Sequence, residues 1–133
     1  MIRRLLFCSM LLLAMSGCAA IPPNKAEIEK LDYGAPLTID YEKSIKDSLE
    51  KVLFDPYSAQ YKFESPQRYW YRGYSLPLSR GQLHAGYLVI VWVNAKNRFG
   101  AYTGMEKYRF LFRNNEVIKV WEHEGFEYAG SPD

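Results

Sequence analysis

Chemistry needs donors that can converge, and this chain of 133 residues carries few of them. Cysteine occurs twice, at Cys8 and Cys18, and histidine twice, at His84 and His123. Neither histidine has a second one at helical spacing, and no HExxH, GxSxG, GxGxxG or P-loop pattern is present. Glu122, His123, Glu124 and Glu127 have the chemistry to gather round a cation, but they form a charged stretch behind an apolar one and read as a solvated tail. The 15 Asp and Glu residues include no locally marked pair of the kind glycoside hydrolysis requires. The expectation is a protein without enzymatic activity, metal or cofactor.

Recognition is the better-supplied chemistry. The stretch NAKNRFGAYTG, residues 94–104, brings together Lys96, Arg98, Phe99 and Tyr102. On an exposed loop these four would form a cationic and aromatic surface able to hold an anionic glycan or a partner's carboxylates. The alternative is structural: Asn and Gly supply positive-φ positions while Phe99 and Tyr102 fold inward over the end of a sheet. A second candidate is the aromatic run at residues 69–74, where Trp70 and Tyr71 are suited to stacking on a sugar or meeting a partner. Its alternative is that the aromatics fill a core built without disulfides.

The chain opens MIRRLLFCSMLLLAMSGCAA. Arg3 and Arg4 precede an apolar run at residues 5–15, too short to span a bilayer, and small residues lead to Cys18. Met15-Ser16-Gly17-Cys18 resembles the lipobox of bacterial lipoproteins. That resemblance implies cleavage after Gly17 and a diacylglyceryl and acyl (palmitate-type) anchor on Cys18, since stable anchoring takes more than one chain. Ala19, where an Asp would favour inner-membrane retention, points to the outer membrane and its periplasmic face. Removing residues 1–17 also removes Cys8, so the mature chain keeps no free thiol. It takes Arg3 and Arg4 away too, turning 17 basic residues against 15 acidic into 15 against 15. A balanced domain offers no basic field for nucleic acid.

These residues must be positioned by a small fold. Residues 18–36, interrupted by Pro22, Pro23, Gly34 and Pro36, read as the lipidated Cys and a flexible tether of roughly 23 Å r.m.s. reach. Residues 40–54 carry Tyr41, Ile45, Leu49 and Val52/Leu53 at helical steps, with Asp40 or Thr38 as cap and Pro56 as stop. After Pro56 the period falls to two: Ala59, Tyr61 and Phe63 alternate with polar residues. Residues 85–94, AGYLVIVWVN, read as a central strand. Asn114-Asn115 sets a two-residue hairpin that places Arg113 beside Glu116, Phe112 beside Val117 and Tyr108 beside Trp121. The predicted fold class is α+β, one N-terminal helix packed on an antiparallel sheet of three to five strands in two layers. The single domain would occupy residues 37–128, with a tail at 129–133.

The motif Asp55-Pro56-Tyr57-Ser58-Ala59, followed by Asn94-Ala95-Lys96-Asn97 and Gly100-Ala101-Tyr102-Thr103-Gly104, resembles an uncharacterised family of small exported bacterial proteins with the pattern DPxSA then NAKNxxGxYxG. The similarity covers about residues 44–112 and implies an envelope address without implying an activity. Some members have a cysteine near the strand before NAKN, and LVIVWV has none, so no thiol role carries over. The expected function is a lipid-anchored outer-membrane lipoprotein that binds an envelope protein or peptidoglycan. An inhibitor or immunity lipoprotein plugging a hydrolase with residues 94–104 is the alternative, and a cell-wall hydrolase the third.

Overall fold

In a computed structural model of the chain, the structure describes residues 22–73, 81–122 and 128–132. Cys18 and the signal, Tyr74, most of the 75–81 loop and the 123–127 stretch with His123, Glu124 and Glu127 lie outside them.

The organising element is β3 (Leu83–Lys96), fourteen residues rich in β-branched and aromatic side chains. One edge pairs with β4 (Glu106–Arg113). The other edge is shared end to end by two strands. β1 (Asp55–Phe63) pairs with its C-terminal half, Phe63 opposite Val91, and β2 (Gln67–Arg72) with its N-terminal half, Gln67 opposite Leu88. Between them the Glu64 amide still donates to the Ile90 carbonyl at 2.9 Å, and Pro66, which has no N–H, marks the break in pairing. β5 (Glu116–Trp121) flanks β4, and β6 (Tyr128–Gly130) flanks β2. Every pairing is antiparallel.

The expected α+β sandwich, an N-terminal helix on three to five strands, is not what forms. The sheet has six strands, and strand takes 47% of the described residues against 14% for helix, so the protein is mostly β. Both helices, α1 (Lys25–Glu29) and α2 (Tyr41–Leu49), are short. Two physical reasons account for the difference. First, the helix-like spacing at residues 40–54 outlasts the helix, which ends at Leu49 before the chain turns towards β1. Second, β3 buries apolar residues on both faces, so one helix cannot supply the whole cover. On the first face Val89, Val91 and Val93 meet Tyr108, Phe110 and Phe112 of β4 and Ile45 and Leu49 of α2. On the opposite face Leu88 and Leu111 are roofed by side chains of the sheet itself, Tyr71 and Trp121. Those two rings come from strands three positions apart, about 14 Å at ordinary strand spacing. They nevertheless meet edge to face with centroids 5.2 Å apart, so both lean inward over the leucines.

Asn114 and Asn115 take the hairpin turn with φ of 51° and 67°, and Arg113 pairs with Glu116 and Phe112 with Val117. A β-bulge then shifts the register, so Trp121 falls opposite Arg109 rather than Tyr108. The extra residue turns Trp121 to the opposite face, which is how it becomes part of the roof.

Residues 24–38 lie against the domain. Asn24 caps α1 through a capping box with Glu27, and Glu27 reaches the buried Arg72 at 3.4 Å. Arg113 donates to the Asp32 carbonyl at 2.6 Å and carboxylate at 2.7 Å, and to Ala85 O at 3.2 Å. Ala35 N–H donates to Asn114 Oδ1 at 3.4 Å, and Asn115 and Thr38 exchange two bonds of 3.0 and 2.8 Å.

Two tyrosines make the fold alkali-sensitive. Burial first, and the Glu106 carboxylate second, push the Tyr108 phenol above its usual range; burial and then Glu50 do the same for Tyr61. A raised folded-state value means their contribution is complete below about pH 10, where unfolded tyrosine titrates, and is lost as pH rises through the folded values. Urea midpoints measured from pH 8 to 11.5 are expected to fall above pH 10, less steeply in a Tyr61→Phe, Tyr108→Phe double variant. Equal slopes would show that these two groups do not carry the dependence.

Candidate functional site at one end of the sheet

The two motifs that stand 35 residues apart in the chain, Asp55–Ala59 and Asn94–Gly104, are one structural unit joined at Ser58. The Ser58 hydroxyl accepts from Lys96 N–H at 2.9 Å and donates to Asp55 O at 2.8 Å. The Asp55 carboxylate in turn accepts from Ser58 N–H, and the Tyr102 hydroxyl donates to Ser58 O. Asp55 pairs with Lys96 in the ladder, and Lys96 bridges to Tyr102.

The loop beyond Lys96 is held by its asparagines. Asn97 Oδ1 accepts from Phe99 N–H at 2.9 Å and Ala101 N–H at 3.2 Å, and its carbonyl accepts from Gly100 N–H at 2.9 Å. Asn94 Oδ1 accepts from Gly104 N–H at 3.1 Å. The asparagines therefore act through their side chains; positive φ falls on Gly100, at 79°, and on Gly104.

This scaffold turns its apolar groups outward. Phe99 is 78% exposed with the Arg98 guanidinium 4.8 Å from its ring centroid, and the Lys96 ammonium stands 5.5 Å from the Tyr102 ring. Phe99 does not fold over the sheet end, and Tyr102, 46% exposed, is only half withdrawn. Six of the ten exposed large hydrophobic side chains among the described residues belong to the two joined segments or their flanks: Val52, Phe54, Tyr57, Phe99, Tyr102 and Met105. Arg98 is exposed beside them. Sequence reasoning finds Lys96, Arg98, Phe99 and Tyr102 and misses Phe54, Tyr57 and Met105. Tyr57 keeps the odd-numbered alternation of Ala59, Tyr61 and Phe63, but the irregularity between Asp55 and Gln60 takes it out of phase and leaves it 93% exposed.

The second predicted pair is placed differently. Trp70 is buried, lying opposite Gly130 of β6, and its Nε1–H has no acceptor among the described residues. Tyr71 is buried too, stacked on His84 at 4.8 Å and edge-on to Trp121. A ligand would have to displace neighbours to reach either ring. The sheet also carries cation–aromatic pairs, two of them beside Tyr71 and one further along β3, that sequence patterns did not reveal. Lys119 stands 5.7 Å from Tyr71 and from Trp121, Arg109 5.3 Å from Trp121, and Lys107 5.5 Å from Trp92. Only cross-strand register brings these cations and rings together.

Ser58→Ala is expected to cost about 1 kcal/mol, the ordinary net worth of the lost bonds at a partly solvated site. Amide exchange at Lys96 should quicken in the same variant; an unchanged rate at Lys96 would show that the hydroxyl does not couple the two segments.

Compared with known proteins, the chain matches no family model, no curated protein and no solved structure.

Proposed function

We propose that this protein is a lipid-anchored outer-membrane lipoprotein facing the periplasm, acting without enzymatic chemistry as a binding or assembly module. The address rests on the MSGC lipobox at Cys18. The observation that carries the binding role is the rim of exposed aromatic, aliphatic and methionine side chains on a hydrogen-bonded scaffold, with Arg98 and Lys96 among them. Aromatics, Met and Arg are the residues that interfaces enrich, and a loop whose amides are held by Asn94 and Asn97 loses little freedom on binding. The same preorganised tip also suits the second reading, an inhibitor or immunity lipoprotein that inserts Phe99 into a hydrolase.

Cys18→Ser is expected to abolish palmitate labelling and to release the protein from the membrane fraction. Unchanged labelling and location would sink the lipoprotein reading. A photoreactive residue in place of Phe99 should then give a discrete protein adduct in cells that weakens several-fold with Arg98→Glu. An adduct indifferent to that charge reversal, or none, would remove the rim from the binding role. A crosslinked hydrolase whose activity falls on binding would select the inhibitor reading over the assembly one.

A further inference from the structure

The hydrogen bonds, ion pairs and ring contact described for residues 24–38 towards the sheet fall at one end of it, Leu37 packs on the main core, and the rim lies at the other end. Arg72 is opposite Leu83, and Arg68, whose guanidinium stands 5.6 Å from the Tyr33 ring, is opposite Tyr87. Arg113 and the Asn114-Asn115 turn close the hairpin at the same end. The rim gathers instead at Asp55, Lys96 and Glu106, the far ends of β1, β3 and β4. Leu83 and Lys96 are thirteen residue steps apart, roughly 40 Å of strand. Between Cys18 and Asn24 lie only five residues, Ala19 to Pro23, a span of at most about 22 Å when fully extended.

We propose that residues 24–38 are a strap rather than free tether, and that it seats the domain on its membrane with the strapped end down and the rim turned away. This rests on the lipoprotein reading above. Its consequence is specific: the rim engages a partner standing off in the periplasm, and neither the lipid of the anchoring leaflet nor a protein embedded beside it. A chain free from Cys18 to residue 36 would let the rim sweep down to the headgroups. With Glu27 held by Arg72 and Asp32 by Arg113, and only five residues between Cys18 and Asn24, the strapped end is the end kept near the anchor and the rim is the end held away from it.

The test uses the exported full chain in outer-membrane vesicles. Because Cys8 is cleaved and Cys18 is acylated in this reading, a single introduced Lys30→Cys or Thr103→Cys takes a fluorescent donor cleanly, with the acceptor on a lipid headgroup. Transfer is expected to be several-fold greater from position 30 than from position 103. An Asp32→Ala, Asn115→Ala double variant, which loosens the strap without touching the rim, should raise transfer from 103. Equal transfer from the two positions, or more from 103, would overturn the proposal, as would amides of Ala35 and Thr38 exchanging as fast as in a free peptide. A chain that does not pellet with membranes would overturn the lipoprotein reading itself, and the orientation with it. One that pellets but transfers equally would overturn the orientation alone.

Discussion

Phe110→Ala is expected to lower folding stability by about 3–5 kcal/mol, the range for truncating a fully buried aromatic. Phe110 is 1% exposed and sits in the middle row of the larger core, opposite Val89 on one side and Val120 on the other. It packs in one cluster with Ile45 and Leu49 of α2. The loss combines two effects: the ring's transfer free energy, and a cavity that the neighbours close only in part. Phe110 is held within paired β strands on both sides, so the backbone has little freedom to collapse into the space. Domains of this size hold only about 5–15 kcal/mol in all, so the variant should sit near the edge of folding at 37 °C. Urea unfolding at 15 °C is the check, with a lower midpoint at constant slope. A shift under 1 kcal/mol would mean that the core around Phe110 repacks freely, contrary to the close packing described above.

Gly86→Ala is the opposite lesion, adding an atom where there is no room, and about 3 kcal/mol or more should be lost, at or beyond the top of the usual overpacking range. A Cβ at position 86 would come within 2.1 Å of the Phe112 carbonyl oxygen and 3.1 Å of its carbonyl carbon. Both are backbone atoms of the neighbouring strand, so no side chain can swing aside; β3 and β4 have to part. The parting would fall where Arg113 donates to Ala85 O and Tyr87 pairs with Phe112, beside the anchoring of the strap. Amides of Phe112 and Arg113, and with them Ala35 and Thr38, should exchange faster than in the parent while those at the rim end of β4 change little. A variant with parental stability and parental exchange would show that the strands do not approach as closely as this.

Both substitutions act at contacts that strand pairing creates, which is also where the sequence was least informative. Local signals were strong where a few neighbouring residues set the geometry. Asn114-Asn115 tolerates positive φ and makes the turn; Asp40 caps α2 by accepting from Lys43 N–H; the apolar run 88–93 lies inside the longest strand. The resemblance of Met15–Cys18 to a lipobox and the near balance of 17 basic against 15 acidic residues are likewise properties of the chain alone, and the envelope address proposed from the former rests on sequence.

What only the tertiary structure decided were the outcomes that depend on residues far apart. The fold became a six-stranded, mostly β protein because β3 is apolar on both faces and long enough to pair with two strands along one edge. A three-residue strand such as β6 has no periodic pattern to announce it and exists only because β2 offers an edge. One bulged residue sent Trp121 to the face opposite Tyr108, a change of side that no alternation count can foresee. The candidate site followed the same logic. The motif residues at 55–59 and 94–104 are visible in the chain, but their union through the Ser58 hydroxyl is made by the β1–β3 pairing, as is the outward turn of Tyr57. Burial of Trp70 and Tyr71, equally aromatic in the sequence, was settled by Gly130 and Trp121 arriving from the far end of the chain. Local backbone preferences are worth tenths of a kcal/mol to about one and can be read residue by residue. Which aromatic ring meets water depends on contacts that exist only after the sheet has closed its register.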